Sequence, residues 1–192
     1  MIIWNQSCLL QLRAFGQEKT MKSTTATLLT ISLFFAMALG ASAQKIVFTS
    51  LDGDLIDVEA QADKVVVMAI GASWLPLSND QADTVNKLAL RYAVRDDIVF
   101  YFITTDSESA KSKNYASNDD IRKFVERNKL NVTILRDNEG KKSIKKYQLD
   151  QLPAFIILDK QGKPDGEPVS GIDPFSEVDT AEIVAQRIDK LL

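Results

Sequence analysis

The segment Trp74-Leu75-Pro76-Leu77-Ser78-Asn79-Asp80-Gln81 holds the residues best spaced for chemistry, and Leu152-Pro153 stands much later in the chain. Ser78 is the candidate nucleophile, since its hydroxyl could attack an acyl carbon. A serine needs a base within hydrogen-bond reach for that task. The chain contains no histidine, and its single cysteine is Cys8, so residues 44–192 hold neither imidazole nor thiol. Histidine acid–base catalysis and thiol redox chemistry therefore lack their side chains. Zinc, haem and iron–sulfur sites lack their usual donors as well. Ser78-Asn-Asp-Gln81 instead fits the S-x-x-Q capping box, in which hydroxyl and carboxamide satisfy backbone donors at a helix start. The expectation is a structural Ser78, no catalytic residue, no metal and no cofactor.

Other groups have plainer explanations. Asp52, Asp54 and Asp57 surround Gly53, but the spacing lacks the later glutamate of a calcium loop, and turn chemistry accounts for them. Lys141, Lys142, Lys145 and Lys146 are expected on one short helix as a solvated basic face. Asn131-Val-Thr133 matches a glycosylation triplet, yet it falls in an expected strand. Tyr115 stands alone in a polar stretch and reads as a loose packing residue.

The elements that must position these residues follow from the pattern. Residues 1–43 read as a leader. Lys22, the 12-residue apolar run Leu28–Leu39 and Ala41-Ser42-Ala43 have the order of a secretory signal peptide beginning at Met21. Residues 1–20 fit neither a signal nor a fold, which leaves Met1 and Met21 as alternative starts. Twelve helical residues span about 18 Å, short of the ~30 Å hydrocarbon core, so no retained membrane span is expected. Cleavage near Ala43 would deliver a periplasmic or secreted protein.

The leader holds Arg13, Lys19, Lys22 and Glu18, which leaves 20 basic and 25 acidic groups in residues 44–192, a net charge of −5. That balance argues against nucleic acid as a partner. One domain over residues 44–192 is long enough to bury its own core. Lys45 to Val58 reads as a hairpin about Asp52-Gly53. Val65–Ile70 and Ile98–Ile103 are continuous apolar runs, as strands buried on both faces require. Ala82, Val85, Leu88, Ala89 and Tyr92 recur at helical spacing between them. Further helices are expected over 119–128 and 141–147. A C-terminal helix opens at Asp179-Thr-Ala-Glu182 and buries Val184, Ile188 and Leu191. Strands are expected over 132–135 and 155–158 and near Val169.

With these elements in order, the segment Val65–Gln81 resembles the active-site segment of thioredoxin-fold proteins of the bacterial envelope, the TlpA-like thiol–disulfide oxidoreductases. Ala72, Ser73, Trp74 and Pro76 match the family pattern in place. Leu152-Pro153-Ala154-Phe155-Ile156-Ile157-Leu158-Asp159 and Gly162 resemble its cis-proline loop. The resemblance implies a thioredoxin-like α/β fold, a central mixed sheet flanked by helices, with an N-terminal hairpin.

It also implies three degenerate positions. Leu75 and Ser78 stand where the family carries two cysteines, and Gln81 where it commonly carries a glutamate that assists proton transfer. The expected function is a redox-inactive module that binds a protein or peptide of the cell envelope in a groove formed by Trp74, Leu75, Pro76, Leu77, Leu152 and Pro153. Two alternatives stand beside it: a thiol–disulfide oxidoreductase by family resemblance, and a regulatory pseudoenzyme subunit. A groove plugged by Leu75 or Leu77 is the inert outcome.

Overall fold

The computed structural model describes residues 45–171 and 179–192. The predicted leader and its cleavage site lie outside them.

The hairpin forms first along the chain. β1 (Val47–Ser50) and β2 (Leu55–Asp57) pair antiparallel. Gly53 takes φ 96° in their turn, a conformation that costs a glycine least. The Ser50 hydroxyl accepts from the main-chain N–H groups of Asp52 and Asp54, so the Ser50 side chain braces this turn. β3 (Val65–Gly71) and β4 (Ile98–Thr104) are the two apolar runs, paired in parallel and joined through α1 (Leu77–Arg91). α2 (Asn118–Arg127) leads to β5 (Thr133–Arg136), and α3 (Ser143–Tyr147) leads to β6 (Ala154–Leu158). β7 (Val169–Ser170) and α4 (Thr180–Leu191) close the described chain.

The seven described strands make one mixed sheet in the order β2-β1-β5-β4-β3-β6-β7. β4 pairs in parallel with β5, while β6 runs antiparallel to β3 and to β7. Alternation along β3 splits the core. Val65, Val67 and Ala69 face α1, α2 and α4 through Val85, Leu88, Ile121, Phe124, Val184 and Ile188. Val66, Met68 and Ile70 face the other layer, with Phe48, Tyr147 and Leu149. Leu191 is half-buried at the edge of the first cluster. Burying each such aliphatic side chain contributes about 1.5–3 kcal/mol, so a strand with both faces covered has to be apolar throughout.

Three local expectations need correction. α1 begins at Leu77, so Ser78 lies inside its first turn. Lys141 and Lys142 precede α3, and the four lysines are spread out. Lys142 Nζ donates to Val47 O at 2.5 Å, Lys146 pairs with Glu59 at 2.9 Å, and Lys141 pairs with Glu139 at 2.9 Å. Asn131 is exposed ahead of β5, not within a strand. The polar stretch after β4 is also more ordered than a plain loop: Ser107 bridges Tyr115, which is 45% exposed.

Candidate functional site

β3 must hand a fully buried strand over to a helix within Ala72–Pro76. It does so by successive tight turns, with Leu75 N donating to Ala72 O at 3.1 Å and Ser78 N to Leu75 O at 3.0 Å. Pro76, at φ −53°, suits the entry to α1, where a missing N–H goes unnoticed. Ile70 pairs with Ala154, which sets the end of β3 opposite Pro153. The Leu152-Pro153 peptide bond is cis, as expected from the sequence. The Trp74 loop and the proline loop thus leave the sheet at the same end.

Ser78 is fully buried, and its Oγ accepts from Ala72 N at 3.1 Å. No side chain caps α1. The expected capping box is therefore absent, because the buried N–H of Ala72 claims the hydroxyl. Gln81, also fully buried, donates through Nε2 to Ala154 O at 2.9 Å and to Ile70 O at 3.3 Å. One carboxamide thereby ties α1 to β3 and β6. Its Oε1 has no hydrogen-bond partner among the described residues. Both polar side chains press on Gly71, where a Cβ would stand 2.4 Å from Gln81 Oε1 and 2.6 Å from Ser78 Oγ. Only glycine admits that approach.

Asp106, the second residue after β4 and the start of a polar stretch, proves central. It is fully buried at the end of β4. Its carboxylate accepts from Ser73 N at 3.0 Å, from Ser73 Oγ at 2.7 Å and from the Thr104 hydroxyl. Thr105 adds two bonds to Gly71 O, from N at 2.8 Å and from Oγ1 at 3.0 Å. The loop carrying Trp74 is consequently anchored from beneath. Asp106→Ala strands the half-buried Ser73 donors and the buried Thr104 hydroxyl, at an expected cost of about 3 kcal/mol. A urea unfolding midpoint unchanged by this substitution would refute the anchoring role.

The six residues assigned to the groove divide by exposure. Trp74 is 50% exposed and makes no hydrogen bond among the described residues, and Pro76 is exposed. Leu75, Leu77 and Leu152 are half-buried, with Leu152 packed toward the Met68 and Ile70 layer. Pro153 is buried, and its carbonyl accepts from Gly171 N at 3.3 Å. No hydrogen bond among the described residues uses the backbone N–H or C=O of Leu152. A cleft of about 480 Å³ lies at the opposite end of the sheet, lined by Tyr92, Ile98, Phe100, Leu130 and Val132. Among the described residues, no group of three or more acidic, cysteine or histidine side chains is placed to hold a metal.

A family model described as AhpC/TSA matches residues 39–163. The chain belongs to the AhpC/TSA family. This AhpC/TSA member has a thioredoxin-like fold and resembles thiol–disulfide oxidoreductases in architecture. One similar structure is a secreted Mycobacterium tuberculosis disulfide oxidoreductase, with a TM-score of 0.58 and 22% identity over 77% of this chain and 96% of that one. A Bacteroides fragilis thiol-disulfide oxidoreductase gives a TM-score of 0.61 at 16% identity, over 79% and 99%. A thioredoxin-like protein from Aeropyrum pernix gives 0.59 at 15%, over 88% and 99%. At these identities the likeness is one of fold. No curated protein matches the chain. No helix among the described residues is long and apolar enough to cross a membrane.

Proposed function

We propose that this AhpC/TSA member is a redox-inactive thioredoxin-fold module that docks an extended segment of a protein or peptide around Trp74 and Leu152. It would act in the periplasm or outside the cell after cleavage near Ala43. The observation that carries the redox part is the state of the two former sulfur positions. Leu75 offers no heteroatom, and the Ser78 hydroxyl is buried and bound to Ala72 N. Disulfide exchange needs one thiolate to attack and a second thiol to resolve the mixed disulfide. Neither side chain can do either.

Support for docking comes from the surface beside them. An indole half in solvent carries a large apolar contact area at low conformational cost. The backbone N–H and C=O of Leu152, unused among the described residues, can pair with an extended chain, as in strand addition. The competing oxidoreductase assignment predicts thiol-dependent reduction of a disulfide dye by the full chain.

Two measurements test the proposal. Dithiothreitol-coupled reduction of the dye should stay at the blank level. A labelled extended peptide with an apolar centre should bind wild type about 30-fold more tightly than Trp74→Asp, the loss of one hot-spot anchor. Trp74 is half in solvent and bonds to no polar group among the described residues, so the variant should still fold, which its far-UV circular dichroism checks. Turnover above blank would replace this assignment with the oxidoreductase, and equal peptide affinity in both proteins would remove the docking site.

A further inference from the structure

Beside the proline loop lies a second cleft of about 370 Å³, lined by Gln148, Asp150, Gln151, Glu167, Pro168 and Ser170. Gln151 in its lining is the chain neighbour of Leu152, and the pairing of β6 with β7 sets Ser170 opposite Ala154. The Gln151 side chain lies over Gly171, with Nε2 3.1 Å from where a Cβ would be. The cleft therefore adjoins the surface at Leu152 rather than standing apart from it.

Its charge is one-sided. Asp150 and Glu167 are both exposed, and neither carboxylate forms an ion pair among the described residues. Arg187 comes near Glu167 but is committed elsewhere: Nε pairs with Asp165 at 3.2 Å and Nη1 donates to the Glu167 main-chain carbonyl at 2.8 Å. No lysine or arginine lines the cleft. The rest of the lining is Pro168, two carboxamides and a hydroxyl, whose polar groups accept hydrogen bonds without adding charge. Two carboxylates are too few for calcium, which takes 6–8 oxygens. They suit an organic cation with several N–H donors.

Resting on the docking function proposed above, we infer that the bound segment carries a basic side chain, arginine or lysine, placed in this cleft while an apolar residue lies against Trp74. The anionic cleft selects among extended segments that the apolar surface alone would accept equally.

The test uses the full chain and a set of fluorescent nonapeptides with an apolar centre, in which one arginine is moved through successive positions. Each has a twin carrying citrulline, a neutral isostere, at that place. At one position arginine should bind about tenfold more tightly than citrulline, an advantage that fades with added salt. Asp150→Asn with Glu167→Gln should erase the difference and leave the citrulline affinity unchanged. If arginine and citrulline peptides bind alike at every position, or the double variant keeps the preference, the inference fails while the docking function stands. If no peptide of either kind binds wild type, both fail together.

Discussion

Leu75→Cys with Ser78→Cys, made in a chain whose Cys8 is replaced by serine, should close an internal disulfide on mild oxidation and turn over a disulfide dye in the presence of dithiothreitol. The two positions flank one tight turn, since Ser78 N donates to Leu75 O at 3.0 Å. Residues three apart across such a turn have Cα atoms closer than about 7 Å, near the range that a disulfide spans. The new thiols would sit at the start of a 15-residue helix, whose dipole favours a thiolate. Leu75 is half-exposed, so a sulfur there can meet a substrate, while position 78 is buried, as suits a resolving thiol. The expected cost is about 1 kcal/mol, from the oxygen lost opposite Ala72 N. Thiol titration should find two groups after reduction and none after oxidation. A variant that never forms the bond would show that this turn no longer has the geometry inherited with the fold.

Gln81→Glu should be the most damaging conservative substitution in the protein, costing about 3 kcal/mol at neutral pH. The carboxamide donates two hydrogen bonds to main-chain carbonyls in a fully buried place. An ionised carboxylate donates none and would face those same oxygens. The folded state would therefore hold the new carboxyl protonated, with its pKa above the ordinary ~4.3 of glutamate. A group raised in this way keeps its contribution below the unfolded value and loses it as pH rises through the folded one. The variant should thus approach wild-type stability near pH 4 and fall progressively behind toward pH 7. Urea midpoints measured across that range check the sign. A deficit independent of pH would mean that Gln81 acts through packing alone.

The elements that the sequence shows most plainly are those decided by local pattern. β3 and β4 announce themselves because both faces are covered, so Val65–Ile70 and Ile98–Ile103 are continuous apolar runs. The hairpin follows from Asp52-Gly53, and the C-terminal helix from Asp179, whose side chain accepts from Ala181 N. Asp179-Thr-Ala-Glu182 also has the spacing of a capping box, but its reciprocal half is missing, because Glu182 pairs with Arg91 of α1 instead. Misreadings arise where a long-range contact outbids a local one. Ser78 looks like a cap over three residues but bonds back to Ala72, outside its own helix. Asp106 opens a polar stretch and looks solvated, yet folding brings it to Ser73, 33 positions earlier in the chain. A polar residue directly after an apolar strand, beside two threonines, is the trace that such an anchor leaves in sequence. The acidic cleft left none, since Asp150 and Glu167 converge only when β7 returns alongside β6.

The margins of the sheet have a consequence for behaviour at high concentration. β2 contributes three residues at one margin and β7 two at the other. A foreign strand arriving at either would gain only a few ladder bonds, which blunts each margin as a template. Among the described residues, brevity alone is what limits pairing at both flanks of the sheet.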